Sequence, residues 1–396
     1  MSAPLAGIRV LDLSRILAGP FATMALADLG AEVVKVEAPG RGDDTRSWGP
    51  PFVAGESTYF MSANRSKRGV SLNFKHPRGR ELLLGLLDRS DVLIENFRAG
   101  VLERQGLGYA DLSGRHPRLI YCSITGYGHT GPRRAEPGFD AMIQGESGLM
   151  SVTGSPDGPP YKVGASIADI ISGMYAVQGI LASLYRRERT GRGEKIDIAL
   201  LDSMVSALTY QAAMYLVTGK NPLRMGNQHP SIAPYETFEA ADGYFTLGVT
   251  TDRHWRLFCQ TLGLADLEKD PRYAGVADRV RNYDSLRETL GSLLRKQPAG
   301  FWIEKLREAG IPCGEVHTVA QALEDPQLAA RGMILELDHP KAGRIRLTGS
   351  PVKLAASGAV AATPPPSHGQ HNREVFCGLL GLAEEELESL AREGVI

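Results

Sequence analysis

The chain alternates short apolar runs with amphipathic stretches, a pattern that predicts strands and helices in turn. Runs at residues 8–13 and 32–37 are strand-like, and they flank a helical stretch from about 20 to 29 that begins with Pro20, a favoured first helical residue. This order is a βαβ unit. Further strand-like runs lie at 69–73, 92–95 and 119–124, separated by helical stretches such as 78–88. We therefore expect an α/β fold with a Rossmann-like, mostly parallel sheet and helices on both faces.

The first turn of this unit lacks the glycine pattern of dinucleotide-binding proteins. Residues 14–20 read SRILAGP, whereas that fingerprint is G-x-G-x-x-G between a strand and a helix. The sequence therefore predicts a Rossmann-like sheet that does not bind NAD, and it disfavours an oxidoreductase.

A change of pattern after about residue 215 indicates a second domain. The elements expected there are strands at 235–238 and 244–249 around the turn at 241–243, and helices at about 252–262 and 283–295. We expect a large domain over 1–215, a smaller α+β domain over 216–325, and a C-terminal segment over 326–396. That segment contains three consecutive prolines and a helix at about 383–393.

Asp169 is a lone carboxylate in an apolar and small-residue run, 163–184, that has helical spacing. Water solvates an ionised carboxylate far better than a protein interior does. A carboxylate in such surroundings must therefore be paired with another group or have a functional role. It falls in the first turn, where free backbone amides and the helix dipole are expected to lower its pKa and leave an anionic nucleophile. The alternative is structural, because an aspartate there also simply complements the dipole.

Composition fits a soluble intracellular metabolic enzyme. The 396 residues are 43% hydrophobic and 22% charged, with a net charge of −1, which does not favour nucleic acid as a partner. We identify neither a signal peptide nor an apolar run of about eighteen residues, and so expect a cytoplasmic protein without a membrane partner. The four cysteines are widely spaced and predicted to be buried thiols, and no histidine pair has zinc-site spacing.

A series of motifs spans nearly the whole chain in a specific order. They are PLAGIRVLDLS at 4–14, AGPF at 18–21, LGAEVVKVE at 29–37, GDDTR at 42–46, NRSKR at 64–68, DVLIENF at 91–97, SITGYG at 123–128, TGRGEKID at 190–197 and GIPCG at 310–314. Together they resemble the family III CoA-transferases, which include formyl-CoA transferases, carnitine CoA-transferases and 2-methylacyl-CoA racemases. The resemblance implies that Asp169 is the catalytic aspartate.

The chemistry implied by the resemblance is acyl transfer on a carboxylate. Asp169 would attack the donor thioester, giving an aspartyl-acyl anhydride and CoA thiolate, and an aspartyl-CoA thioester would then pass CoA to the incoming acid. Racemases of this superfamily carry a histidine where this chain has Phe139. Since a phenyl ring cannot exchange a proton, racemase ranks behind transferase. A non-catalytic CoA-binding protein is the other alternative.

The resemblance also implies contacts with CoA, as a substrate and not as a tightly bound cofactor. The implied positions are Leu17, Ala18, Leu72, Asn73, Phe74, Lys75, Asn96, Phe97, Arg98, Arg104 and Phe139. Lys75 and Arg104 are the expected phosphate partners, because charge-assisted bonds to phosphate are strong. Ala38 and Pro137 stand where some family members have basic residues that contact CoA. Arg41 is a candidate to substitute for one of these missing basic residues.

The expected acceptor is a carboxylic acid. The segments 42–52 and 231–235 most resemble the branch that moves CoA between dicarboxylates such as succinate and glutarate, and Arg46 or Arg224 is the candidate cation for a second carboxylate. His229 lies in a stretch where the family has substrate-side loops. The formyl and oxalyl branch is less favoured, because its long insertion with a polyglycine loop is missing. The family resemblance further implies an interlocked homodimer of ring-shaped chains, with the C-terminal segment returning to the large domain.

Overall fold

The structure is a computed structural model that describes residues 2–358 and 360–396. Its strands are β1 (Arg9–Asp12), β2 (Glu32–Glu37), β3 (Phe52–Val53), β4 (Glu56–Ser57), β5 (Lys67–Ser71), β6 (Val92–Glu95), β7 (Ile120–Thr125), β8 (Lys195–Ala199), β9 (Tyr235–Glu239), β10 (Tyr244–Gly248), β11 (Cys313–Glu315), β12 (Ile334–His339) and β13 (Gly343–Thr348).

The α-helices follow the same chain order. They are α1 (Ala18–Asp28), α2 (Thr58–Ser62), α3 (Pro77–Leu87), α4 (Tyr109–Leu112), α5 (Asp140–Glu146), α6 (Leu149–Val152), α7 (Ile167–Thr190), α8 (Leu200–Ala207), α9 (Tyr210–Thr218), α10 (Asp252–Leu262), α11 (Ala265–Lys269), α12 (Val276–Arg281), α13 (Tyr283–Leu294), α14 (Ala299–Glu308), α15 (Val319–Leu323), α16 (Pro326–Ala330) and α17 (Glu384–Arg392). A π-helical segment covers Arg373–Leu379.

A six-stranded parallel sheet forms the centre of the first compact unit, in the order β5-β2-β1-β6-β7-β8. This confirms the expected α/β fold. Strands β1, β2, β6 and β7 lie on predicted apolar runs, whereas β5 begins two residues before its run at 69–73. Strand β8 was not predicted, because charged and apolar residues alternate in its sequence KIDIA and leave no apolar run.

Two apolar cores cover the two faces of this sheet, as expected of parallel strands buried on both sides. On one face α1 and α7 pack against the sheet through Ala22, Leu26 and Ile180. On the other face α3 packs with the last residues of the chain, including Phe376 and Val395. The C-terminal segment is thus part of the first unit, which consists of residues 2–149, 163–216 and 326–396.

That same segment also covers the exposed edge of β5. Ser66 donates its backbone N–H to the Thr363 carbonyl, and Gly69 donates its own to Nδ1 of His371. Ser71 donates to Oδ1 of Asn372. Backbone and side-chain acceptors of this segment therefore take the place of a seventh strand, which closes a sheet edge that would otherwise be open to another chain.

The second compact unit consists of residues 150–162 and 217–325. Its antiparallel sheet has the order β11-β10-β9, and the predicted hairpin around 241–243 joins β9 to β10. Helices α10, α13 and α14 bury Trp255, Leu290 and Trp302 in its core. Residues 150–162 cluster with this unit although they precede it by more than fifty residues. The division at 1–215, 216–325 and 326–396 stays a prediction.

Helix α7 corrects one expectation from the sequence. It is long and apolar enough to cross a membrane by length and composition, with a mean hydropathy of 1.5 over an eighteen-residue window, so an apolar run of that length is present after all. In the structure it packs along α1 and against β7 and β8. A core helix of an α/β sheet has the same composition, so this helix is weak evidence for a membrane span.

Candidate active site

A cavity of about 440 Å³ lies at the carboxyl ends of the parallel strands. It opens between the neighbouring strands β1 and β6. From β1 the chain continues to β2 on one side of the sheet, and the strands from β6 onward are added on the other side. Such a topological switch point is where open α/β sheets bind their ligands. The wall is built from the loops after β1, β2, β6 and β7 and from the first turns of α7 and α8.

Seven of the positions implied by the family resemblance line this cavity: Leu17, Ala18, Asn96, Phe97, Arg98, Phe139 and Asp169. They come from three separate parts of the chain, 17–18, 96–98 and 139–169. The loops after β1 and β6 are joined directly, because Arg15 donates its N–H to Asn96 Oδ1 at 2.8 Å and Asn96 Nδ2 donates to the Arg15 carbonyl at 2.7 Å.

Asp169 occupies the first turn of α7, as predicted, and is half-buried at the cavity wall. The expectation of a lowered pKa is wrong. Desolvation, assisted by the negative charge of Asp140, raises the pKa of Asp169 to about 7. No side-chain oxygen caps the helix at Ser166. Burial and the neighbouring Asp140 therefore make this carboxylate more basic than an ordinary aspartate.

Asp140 and Gln144 of α5 fix the backbone that carries Asp169. Asp140 accepts hydrogen bonds from the Ala168 N–H at 2.9 Å and from Gln144 Nε2 at 2.8 Å. Gln144 in turn accepts the Val163 N–H through Oε1 at 2.8 Å. This chain of bonds sets the start of α7, so the position of the Asp169 carboxylate is determined by α5.

The remaining implied CoA positions lie outside the cavity wall. Leu72, Asn73, Phe74 and Lys75 follow β5, and the Phe74 ring packs edge-on against the cavity residue Phe97 with centroids 6.4 Å apart. Arg104 is exposed in a short 3-10 turn after Gly100. Within the described part of the chain, the charged groups of Lys75, Arg98 and Arg104 have no carboxylate partner. These cations are therefore available to an anion.

Arg46 does not face the cavity. Its guanidinium donates to Glu37 Oε2 at 2.7 Å and to the Pro366 carbonyl at 3.0 Å, and it stacks on the Phe60 ring. Glu56 lies 3.6 Å away. A guanidinium held by two carboxylates has no free edge for a third, so this geometry does not favour Arg46 as the cation for a substrate carboxylate.

The other two candidates for the substrate side lie in the second unit. His229 packs its ring edge-on against Tyr235 at 5.5 Å and accepts the Ser231 N–H through Nδ1. Arg224 donates to the carbonyls of Ser155 and Gly158. Both side chains thus hold loops of that unit together.

Sequence reasoning missed several cavity residues. Arg15, Asp44, Ser47 and Trp48 line the wall. Arg41, which the sequence did offer as a substitute for a missing basic residue, lines it as well, with its guanidinium paired to Asp44. In the sequence, the segment 42–52 stands out only by its family resemblance. Its signal was the density of charged and aromatic side chains in a loop that follows a buried strand, the usual place for binding residues.

No group of three or more histidine, cysteine, aspartate or glutamate side chains in residues 2–358 and 360–396 is arranged to hold a metal ion.

Comparison with known proteins identifies the class to which this site belongs. The family model described as CoA-transferase family III matches residues 5–372. A succinyl-CoA:glutarate CoA-transferase of Mus musculus is 43% identical over 393 residues, which cover 99% of this chain and 90% of the relative. The chain therefore belongs to CoA-transferase family III, and it is an enzyme of that family.

Other relatives act on different acids. An acetyl-CoA:oxalate CoA-transferase of Acetobacter aceti is 42% identical and covers 89% of both chains. Among solved structures, a CAIB/BAIF family protein from Brucella suis matches with a TM-score of 0.86 and 42% identity, covering 96% of this chain and 100% of that one. The fold and the class of reaction are thus shared, whereas the substrates vary between members.

Proposed function

We propose that this enzyme transfers CoA from succinyl-CoA to a dicarboxylate acceptor such as glutarate, with Asp169 as the nucleophile. The observation that carries the proposal is a half-buried carboxylate of raised pKa in the wall of a cavity at the switch point of the sheet. A strongly perturbed carboxylate in such a cleft is a typical catalytic candidate.

In the proposed reaction the ionised Asp169 attacks the thioester carbonyl of the donor, and the C–S bond breaks to release CoA thiolate. The thiolate then attacks the aspartyl carbonyl of the resulting anhydride, releases the donor acid and leaves an aspartyl-CoA thioester. The acceptor carboxylate attacks that thioester to form a second anhydride and free thiolate. Attack of the thiolate on the acceptor carbonyl gives the new acyl-CoA and restores Asp169, with no net proton uptake.

The basic residues around the cavity support CoA as the substrate. Arg98 in the cavity wall, with Lys75 and Arg104 outside it, offers charge to the phosphates, and the apolar surface of Phe97 and Phe139 suits the rest of the molecule. For the second carboxylate of a dicarboxylate we propose Arg15 or Arg41, because both line the cavity whereas Arg46 does not.

The direct test is to incubate the protein with succinyl-CoA and a panel of carboxylic acids and to follow acyl-CoA species by mass spectrometry. We expect glutaryl-CoA with wild-type protein and a loss of about 10³-fold or more in the Asp169→Asn variant, which keeps the shape but not the nucleophile. Asp202→Asn is the control, because Asp202 is an exposed aspartate in the first turn of another helix, α8. An active Asp169→Asn variant would exclude the mechanism.

The residue at position 139 distinguishes a transferase from a racemase. Phe139 lines the cavity and is half exposed, and its ring offers no proton. A 2-methylacyl-CoA that gains solvent deuterium at its α-carbon, without transfer to any acid, would favour a racemase. Binding of CoA without either reaction would indicate a non-catalytic binding protein.

We also propose that the enzyme is a homodimer. Helix α9 buries none of its residues, and Tyr215 and Leu216 are exposed on it, the latter by 79%. Met174 and Tyr185 are exposed on α7. The consecutive exposed residues Tyr215, Leu216 and Val217 are the kind of apolar surface that favours a protein interface. Light scattering should give twice the mass of the chain, and a monomer at micromolar concentration would contradict the proposal.

A further inference from the structure

The loop after β1 contains a backbone conformation that its sequence does not favour. Ile16 has φ of +69°, in the left-handed region. A β-branched residue there is a genuine outlier, because its side chain crowds the backbone. Ile16 is followed directly by Leu17 and Ala18, and these three residues line the cavity that contains Asp169.

Side chains from neighbouring strand ends hold this loop at its backbone. Ser14 donates its N–H to Asp12 Oδ1 at 2.9 Å, and its carbonyl accepts a bond from Lys35 Nζ at 2.9 Å. Arg15 is held at both its N–H and its carbonyl by Asn96. The Ile16 N–H donates to both oxygens of Asp43, at 3.2 and 3.3 Å.

Asp43 is itself fixed by a buried ion pair. Lys35 Nζ lies 3.0 Å from Asp43 Oδ2, and both side chains are fully buried. Burial alone would raise the pKa of Asp43, but the charge of Lys35 lowers it to about 2, so this carboxylate stays ionised. Thr45 donates both its N–H and its hydroxyl to Asp43 Oδ1. A buried pair so completely bonded has little freedom to move.

We propose that Asp43, supported by Lys35, is a positioning residue for the transfer reaction. It holds Ile16 in the left-handed conformation and thereby presents Ile16, Leu17 and Ala18 to the bound acyl-CoA. Strained residues persist where the surrounding structure determines them, and they concentrate at ligand sites. The proposal rests on the proposed function, since it assumes that CoA occupies this cavity.

The test is a pair of double-mutant cycles with coenzyme A as the probe. Asp43→Asn is made in wild-type, Ile16→Gly and Ile16→Ala backgrounds, and affinity is measured by titration calorimetry. Glycine adopts positive φ without cost, whereas alanine retains the penalty and removes nearly the same side chain. Effects of the Asp43→Asn substitution on Lys35 and Thr45 are common to all backgrounds and cancel.

We expect Asp43→Asn to raise the Kd for coenzyme A by about tenfold in the wild-type and Ile16→Ala backgrounds, and by less than about threefold in the Ile16→Gly background. With succinyl-CoA, KM should rise more than kcat falls. We also expect Ile16→Gly to melt at a higher temperature than Ile16→Ala. If Asp43→Asn does not fold, Thr45→Val, which removes the hydroxyl bond to Asp43 Oδ1 and keeps the Asp43 charge, takes its place in the same cycles with the same expected pattern of effects.

Equal effects of Asp43→Asn in the Ile16→Gly and Ile16→Ala backgrounds would overturn the proposal, as would an Ile16→Gly variant no more stable than Ile16→Ala. Wild-type protein that binds coenzyme A but transfers it to no acid would instead overturn the proposed function, leaving the cycles valid. The two failures are therefore distinguishable.

Discussion

At the scale of single residues, the ionisation of Asp169 decides the chemistry. A carboxylate of ordinary pKa would be fully ionised at neutral pH but a poor nucleophile toward a thioester. Desolvation and the nearby Asp140 raise the pKa of Asp169 to about 7, which increases its basicity at the cost of protonating part of the population.

This pKa predicts the pH dependence of the reaction. Because only the ionised carboxylate attacks, kcat/KM should rise as the pH increases from 6 to 8 with a midpoint near 7, and then level off. Acceptor carboxylates are ionised throughout this range and add no further rise. A pH profile measured at saturating acceptor checks it, and a flat profile between pH 5 and 8 would contradict the assignment.

Substituting the neighbouring carboxylate should move that midpoint. Asp140→Asn removes a negative charge next to Asp169 while an amide oxygen can still accept the Ala168 N–H. We expect the pKa of Asp169 to fall but to stay above 3.8, since desolvation is the larger cause of its shift. The measurement is the pH profile of the variant beside the wild-type profile. An upward shift would show that Asp140 does not act through its charge.

At the scale of elements, the contact between α1 and α7 sets the site, because each helix brings its first turn to the cavity. Ala18 begins α1 and Asp169 lies in the first turn of α7. The two helices pack closely at Gly173, where an added Cβ would lie 2.7 Å from the Ala18 carbonyl oxygen and 3.0 Å from the Phe21 ring. No larger side chain fits there without a shift of a helix.

We therefore expect Gly173→Ala to cost about 1–3 kcal/mol of unfolding free energy and to reduce transfer activity. The same change at Gly300 in α14 is the control, because a Cβ there meets nothing within 4 Å. Alanine favours the helix, so Gly300→Ala should be neutral or stabilising by up to about 1 kcal/mol. Urea unfolding and the transfer assay measure both effects, and equal outcomes would contradict the packing argument.

Some secondary-structure elements could be predicted from the sequence, and others could not. Strands β1, β6 and β7 were predictable from their apolar runs, and β2 from Val33, Val34 and Val36 around a single internal charge. Strand β8 was not, since Lys195 and Asp197 alternate with its apolar residues and leave no apolar run. The helix carrying Asp169 was predictable, but the direction of its pKa shift was not. That shift depends on how deeply the carboxylate is buried and on Asp140, twenty-nine residues earlier.

The sequence was likewise insufficient to determine which charged residues belong to the site. Arg46 carried the expected charge for a substrate carboxylate, yet Glu37 and Glu56 occupy its guanidinium. Arg15 and Trp48 line the cavity, but only the ends of neighbouring strands bring them there. Local pattern identifies which residues can do chemistry, whereas partners far apart in the chain determine which of them do.

At the scale of the whole molecule, the first unit is closed by bonds between distant parts of the chain. Nδ1 of His371 accepts the Gly69 N–H at 3.0 Å, across 302 residues of sequence. Only an unprotonated Nδ1 can accept, and burial lowers the pKa of His371 below its usual 6.5. The folded state therefore binds fewer protons at this site than the unfolded state.

It follows that this histidine stabilises the fold above pH 6.5 and that its contribution is lost as the pH falls. His371→Gln, which retains an acceptor but does not titrate, should lose less stability than wild type between pH 7.5 and 5. Unfolding in urea at several pH values measures this difference. His368→Gln is the control, because the half-buried His368 bonds to the Ala38 carbonyl and not to β5. Parallel pH dependences of the wild-type and His371→Gln proteins would contradict the prediction.

The covering of β5 by residues 363–372 also has a consequence for synthesis. Ser71 and its acceptor Asn372 are 301 residues apart, and the whole second unit is translated between them. At ribosomal rates of about 5–20 residues per second, that edge is complete but uncovered for roughly 15–60 s. During this interval the nascent chain offers an open strand to its neighbours on the same polysome, so chaperone demand should be greatest before the last thirty residues emerge.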